Sequence, residues 1–400
     1  MWQSTEATRA VLGRTRRLFE ADMARHAEQL AALVEESSFL VLGGAGTIGA
    51  AVTKELFQRQ PRRLHVIDIS ENNLVELVRD IRSSLGYIAG DFRTLPLDCG
   101  SLEFHALLDS QPSYDYVLNL SALKHVRSEK DPYTLMRMIA VNVLNTERLL
   151  QYAARGNVRK YFGVSTDKAV RPTNAMGASK RVMELCMLQA SRQLPVSTAR
   201  FANVAFSDGS LLHGFIQRIR KRQPLSAPRD VQRYFITMEE SGQLCLMSCL
   251  LGENRDLLFP KLTGEFRLTR FDTIAIKFLE SLGYEAEICQ SEDEARSRVA
   301  QCLERKKWPC YFFDSDTTGE KDYEEFYTDT DRLDLERFDD LGVVQHAELE
   351  DLQPVTRFLS ALHTLRQRGN WTREEILAAL RDAVPDFCHK ETRKYLDSRM

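Results

Sequence analysis

Short apolar runs alternate with amphipathic stretches through the first half of the chain. FLVL (Phe39–Leu42) meets a glycine-rich turn and then AAVTKELFQRQ, and LHVIDIS is followed by ENNLVELVRDIRSSL. YDYVLNLSA, RKYFGVSTD and PVSTARFANV continue the series. Runs of Val, Leu and Ile bounded by helical patterns predict strands buried on both faces, paired in parallel and joined by helices. The expected fold is α/β, a Rossmann-type doubly wound parallel sheet with a smaller C-terminal substrate lobe. Helical N- and C-terminal extensions complete it.

The alternation sets the expected boundaries. Residues 1–36 repeat Leu12, Phe19, Met23, Leu30 and Val34 among charges, as a helical extension would. Residues 37–205 carry the Rossmann pattern. Between 206 and 330 the alternation weakens and Gly, Pro and charge increase, as expected of a lobe built mainly to bind substrate. Residues 331–400 open with TDTDRLDLERFDD at their boundary and end in WTREEILAALRDAVPDF, where Thr372 and Glu375 fit a capping box. Amphipathic helices outside a complete core predict an interface between copies, hence a homo-oligomer.

Composition narrows the class of partner. The 400 residues are 43% hydrophobic and 28% charged, with a formal net charge of −3. That balance gives no electrostatic reason for nucleic acid or an anionic membrane as partner. The charged N-terminus has no signal-peptide core, and no uncharged apolar stretch reaches spanning length, so a cytoplasmic protein is expected. Eight cysteines without a CxxC pair argue against a disulfide framework, and Cys245 and Cys249 read as small buried hydrophobes. No metal site is expected.

The glycine turn holds the first chemical signal. Gly43, Gly46 and Gly49 form GxxGxxG between the first strand and the first helix. Glycine lets the backbone turn tightly and approach a pyrophosphate, while Thr47 and Ile48 offer first-turn N–H groups. Asp68 ends the second strand 19 residues after Gly49, where a carboxylate can accept both adenosine ribose hydroxyls and repel a 2′-phosphate. The predicted cofactor is therefore NAD. Asp98, beyond the third strand, is a candidate adenine contact.

The second signal is Tyr161–Glu184, YFGVSTDKAVRPTNAMGASKRVME. It sets Ser165, Thr166, Asp167 and Lys168 at a strand end and Lys180 on the helix that follows. The position four before Lys180, where common short-chain dehydrogenases carry a proton-transferring Tyr, is Met176. A thioether transfers no proton, so alcohol oxidation by a Tyr/Lys pair is not expected. Lys124 and His125 follow the fourth strand and face the space beyond the strand ends, where α/β folds bind ligands.

Together GGAGTIG, SALKHV (Ser121–Val126), STDKAV, PTNAMGASKR, RFANV (Arg200–Val204), RYFIT (Arg233–Thr237) and GEKDYEE (Gly319–Glu325) carry a family resemblance. From about residue 38 to 340 the chain resembles the bacterial UDP-N-acetylglucosamine 4,6-dehydratases of polysaccharide synthesis. These are extended short-chain dehydrogenase/reductases. It also resembles the catalytic part of the membrane-anchored members, which likewise carry Met at the Tyr position, although their membrane segments have no counterpart here. The resemblance implies a redox-neutral reaction. The sugar loses hydride at C4 to NAD, eliminates water across C5 and C6, and regains hydride at C6 as a 4-keto-6-deoxy product. Asp167 is then the acid for the C6 hydroxyl, Lys168 the base at C5, Thr166 the partner of the C4 oxygen, and Lys180 the holder of the nicotinamide ribose. Asp167, Lys180 or a water could take the C4 hydroxyl proton. Met176 implies retention at C5.

For the nucleotide sugar, the resemblance implies contacts at Asn203 and Arg233, and at Lys261 and Glu324 towards the nucleotide. VAFSDGS (Val204–Ser210) departs from the pattern, so UDP is the default nucleotide and GDP stays open. Two other functions fit the scaffold: a nucleotide-sugar epimerase, and an inactive NAD-binding scaffold. Loss of water from the product separates dehydratase from epimerase.

Overall fold

The structure is a computed structural model that describes residues 5–262, 264, 266–315, 321 and 325–390. Strands β1 (Ser38–Leu42), β2 (Arg63–Asp68), β3 (Asp91–Pro96), β4 (Tyr116–Asn119), β5 (Lys160–Thr166) and β6 (Val196–Phe201) lie in the order β3-β2-β1-β4-β5-β6, all parallel. This is the doubly wound Rossmann order, and β1 and β4 diverge at its switch point. Beyond β6 the same nine-stranded sheet takes Asp256–Pro260 in parallel, then Leu341–Gln345 and Leu333–Asp334 antiparallel. The sheet therefore crosses the boundaries expected at 205 and 330.

Both faces of the sheet's central strands are buried. Phe39 and Val41 face one buried cluster, and Leu40 and Leu42 face the other, which is why β1 reads as an unbroken apolar run. The first face is covered by α4 (Thr47–Phe57), α5 (Glu71–Ser84) and the helix Met238–Leu250. The second is covered by α6 (Leu102–Ser110), α7 (Pro132–Ile139), α8 (Asn145–Arg155) and α9 (Ala175–Ala190). A separate cluster forms the lobe, where helices Leu211–Arg220 and Phe271–Ser281 pack on a small parallel sheet. Cys245 and Cys249 lie in the core, where burial raises their thiol pKa values.

The N-terminal pattern resolves into α1 (Thr5–Val11), α2 (Glu20–Arg25) and α3 (Ala27–Glu35), with Phe19 at φ 66° breaking the run. Val11 and Leu12 enter the lobe cluster, whereas Phe19, Leu30 and Val34 enter the main core. Arg14 clamps the segment by two bonds to Glu240, of 2.9 and 2.7 Å. At the other end, helices Gln353–Arg368 and Arg373–Ala383 bury Phe358, Leu362, Ile376 and Leu380 against the second face. Thr372 and Glu375 make the expected capping box. The apolar faces expected to join copies are thus packed within the chain. Among the described residues no helix is long and apolar enough to cross a membrane.

Candidate functional site

The glycine turn sits where β1 and β4 separate. Gly43 has φ +69°, and a Cβ there would lie 2.7 Å from Ser121 N. A Cβ on Gly49 would lie 2.0 Å from Gly43 O, so only glycine lets α4 start so close to the strand. Gly46 differs: its Cβ would meet only Gly43 O, at 3.5 Å. Local packing does not demand glycine there, whereas a ligand seated against the turn would. No side chain caps the first turn of α4, so its N–H groups and positive dipole end are available to an anion. Asp68 accepts from Ala45 N at 3.0 Å and from Ser70 N at 2.9 Å, fixing its carboxylate at the turn. The turn, the uncapped helix and the placed acid fit a dinucleotide. Gly44 also belongs to the turn, since a Cβ there would strike Val66.

Thr47 does more than offer its N–H. Its hydroxyl accepts from Asp208 N at 3.0 Å, tying α4 to the loop Val204–Ser210. That loop carries positive φ at Phe206 and Gly209, and Gly209 leaves room for His125, whose ring a Cβ would approach to 2.8 Å. Ile48 packs on the main core. Asp98, just past β3, accepts from Gly100 N and pairs with Arg137, each at 2.8 Å. Burial raises the Asp98 pKa, but these two donors outweigh it and hold the carboxyl below its usual range.

The β5 end delivers the catalytic candidates to the same edge. Asp167 is buried, and its Oδ1 accepts from Thr166 Oγ1 at 2.8 Å, Lys168 N at 2.9 Å and Lys168 Nζ at 3.1 Å. The first turn of α9 presses on this loop, because a Cβ on Gly177 would lie 2.2 Å from Lys168 O. Asn174 caps α9 through Gly177 N at 2.8 Å. Met176 is buried in that turn. Lys180 is buried one turn on and donates to Val164 O at 2.9 Å. Burial lowers its amine to about 8, opposed by Glu184.

Beneath this loop lies a charged network that sequence reasoning missed. Glu184 accepts from Ser165 Oγ at 2.5 Å, Arg200 Nε at 3.0 Å, Arg200 Nη2 at 2.7 Å and Arg181 Nη1 at 2.8 Å. Burial alone would raise the Glu184 pKa. Arg200 chiefly reverses that and brings it down to about 2. Asn142 was also missed, although a lone Asn inside the apolar run IAVNVL was a usable signal. It sits on a π-helical turn, Ala140–Leu144, and holds Leu123 N at 2.9 Å and Ser179 Oγ at 2.9 Å. Such turns recur at functional sites. Here it anchors the loop bearing Lys124 and His125, both exposed, to α9.

The substrate candidates fall into three groups. Asn203 follows β6 and pairs with Phe235 in a short parallel ladder, two residues from Arg233. Its Nδ2 is buried with no partner among the described residues, as a donor awaiting a ligand would be. Arg233 is buried and donates to Gln232 O. Lys261 behaves differently. Its ammonium donates to the carbonyls of Leu335, Phe338 and Asp339, which use all three donors to anchor a loop. Glu324 and most of the GEKDYEE run lie outside the described residues.

A family model described as polysaccharide biosynthesis protein matches residues 39–346. The chain belongs to that family. It is 27% identical over 318 residues to an uncharacterized membrane protein of Methanocaldococcus jannaschii, a match covering 78% of this chain and 86% of that one. It is 28% identical over 246 residues to the UDP-glucose 4-epimerase of Rickettsia prowazekii, covering 56% of this chain and 66% of the epimerase. Against capsular polysaccharide biosynthesis protein CapD of Staphylococcus aureus the identity is 27%, over only 39% of CapD. Among solved structures, Pen from Bacillus thuringiensis superposes with a TM-score of 0.63 at 21% identity, over 78% of this chain and 88% of Pen. DesIV, a dTDP-glucose 4,6-dehydratase from Streptomyces venezuelae solved with NAD and TYD bound, gives 0.56 at 17% identity, over 84% of this chain and 99% of DesIV. These structures share the polysaccharide biosynthesis protein's fold.

Proposed function

We propose that this polysaccharide biosynthesis protein uses NAD to dehydrate a nucleotide-linked N-acetylglucosamine across C5 and C6, yielding the 4-keto-6-deoxy sugar with retention at C5. UDP is the default nucleotide, with GDP as the alternative. One observation carries the reading: Asp167 and Lys168 form an ion pair, 3.1 Å across, at the strand end next to Thr166, while Met176 holds the place of a Tyr. The pair shares one transferable proton. With that proton on Asp167, the carboxylic acid can protonate the departing C6 hydroxyl while the Lys168 amine takes the C5 proton. Elimination leaves the pair as carboxylate and ammonium; the ammonium returns a proton to C5 as C6 gains hydride, and the proton given up by the C4 hydroxyl restores the pair. Thr166 can donate to the C4 oxygen, and Lys180, with its lowered pKa, can hold the nicotinamide ribose or accept the C4 proton. NAD, when bound, supplies the hydride acceptor at C4 and the donor at C6.

Gly43, Gly46, Gly49 and Asp68 would hold the dinucleotide, with Asp98 towards adenine. Asn203, Arg233, Lys124 and His125 would face the sugar diphosphate. Lys261 is left out because its donors are engaged. NAD in the DesIV structure supports the choice of cofactor. Gly46→Ala should keep the melting temperature and weaken NAD by about tenfold or more, since its Cβ would occupy the pyrophosphate approach. Gly49→Ala should lower both, because its Cβ collides with Gly43 O. Calorimetric titration with NAD and a thermal melt check the pair, and unchanged NAD affinity in Gly46→Ala sinks the placement.

Incubation with UDP-N-acetylglucosamine or GDP-N-acetylglucosamine in D₂O tests the reaction. A product lighter by one water, with deuterium at C5, is expected. The Rickettsia relative favours 4-epimerisation as the second reading. A product of unchanged mass and inverted C4 would establish that instead.

A further inference from the structure

The helical part of the C-terminal extension, from Gln353 on, lies beyond the family match, which ends at residue 346, yet it grips two loops of the candidate site. Trp371 Nε1 donates to Pro132 O at 2.9 Å, and Arg373 Nε donates to Glu129 O at 2.7 Å. The chain then turns back under α9. His389 Nε2 meets Glu129 Oε2 at 2.9 Å, in a pair whose side chains are 4% and 0% exposed. On either side of His389 the backbone binds the turn that leads into α9, with Cys388 N to Pro172 O at 3.1 Å and Lys390 N to Thr173 O at 3.0 Å. Phe387 and Val384 enter the buried cluster that holds Ala175 and Met176.

Glu129 ends the short helix that follows Lys124 and His125. Pro172 and Thr173 lie between Lys168 and the α9 cap. The extension thus touches the proposed sugar-binding loop and the proposed catalytic loop at once, and it reaches neither β1 nor the glycine turn through these bonds. We infer that the C-terminal extension is a wall of the active site, with Trp371, Arg373 and His389 as positioning residues that hold the Lys124–Glu129 loop and the Pro172–Asn174 turn in register. The consequence for rate rests on the dehydratase reading. The clamp itself does not.

His389→Ala removes the buried partner of Glu129, and His389→Gln keeps an N–H donor there. Trp371→Phe keeps an aromatic ring and removes the bond to Pro132 O, as a milder second probe should His389→Ala fold poorly. Hydrogen exchange on the full chain should show faster amides in residues 123–130 and 173–180 for His389→Ala, with β1 and β2 unchanged. With the nucleotide sugar, kcat should fall about tenfold and KM should rise, since small misplacements of reacting groups are costly. NAD affinity should stay within about twofold, and His389→Gln should recover most of the rate. Unchanged exchange in both segments overturns the clamp. Faster exchange with kcat and KM unaltered overturns the positioning role. If the unaltered protein converts no nucleotide sugar, the dehydratase reading fails, and the exchange arm still decides the clamp.

Discussion

Asp167→Asn is expected to lower the dehydration rate about a thousandfold, within the range general acid–base groups supply, while NAD binding and the fold persist. Asn has the size of Asp and can still accept from Thr166 and from Lys168 N, so the buried loop keeps most of its bonds. It cannot carry the proton that the C6 hydroxyl needs on leaving. Lys168→Met should cost a similar factor for the opposite reason, because the C5 proton then has no amine to receive it. The two variants should differ in D₂O. With Asp167→Asn the 4-keto sugar can still exchange at C5, so recovered nucleotide sugar should carry deuterium without losing water. With Lys168→Met recovered sugar should carry none. Mass spectrometry of recovered substrate reads both outcomes. Turnover within about threefold of the unaltered protein in both variants would remove the pair from the chemistry.

What the sequence made legible was local. The strand–turn–helix signals around Gly43–Gly49 and Asp68 lie within one βαβ unit, and STDK with Lys180 lies within one strand–helix unit. Period and spacing report such units directly. The sheet's outer strands carry no comparable signal. Asp256–Pro260 pairs with β6, and Leu341–Gln345 pairs with Asp256–Pro260 across a long interval of chain, so their neighbours are set by tertiary packing. The same holds for Arg14 with Glu240 and His389 with Glu129, whose partners are more than 200 residues apart in sequence. Lys261 shows the converse error. The resemblance implies a nucleotide contact at Lys261, whereas three distant carbonyls take its donors. Glu184 lies within Tyr161–Glu184 without a local signal of its role, because that role depends on Arg200 approaching from the neighbouring strand.

That unread pair carries the largest expected effect on stability. Glu184→Gln should destabilise the fold by about 3–5 kcal/mol, the cost of leaving a buried charge without its partner. Arg200 is 3% exposed at its side chain, and its remaining acceptor among the described residues would be Phe326 O. Acid should act in the same direction. Glu184 sits at about 2 in the folded chain, below its ordinary 4.5. A carboxyl held low stabilises fully above its unfolded pKa, and that stabilisation is withdrawn as pH falls from about 4.5 towards 2, by about 3 kcal/mol. Denaturant melts of both proteins over that interval should therefore converge as the pH drops. Function should not follow stability alone. Replacing both partners, Glu184→Leu with Arg200→Met, removes the buried charges together and should recover much of the stability. It cannot restore the acceptor for Ser165 Oγ, the bond that fixes the strand end bearing Thr166 and Asp167. A double variant that is stable yet slow would place Glu184 as the support of the catalytic loop. One that is stable and fully active would reduce the network to packing.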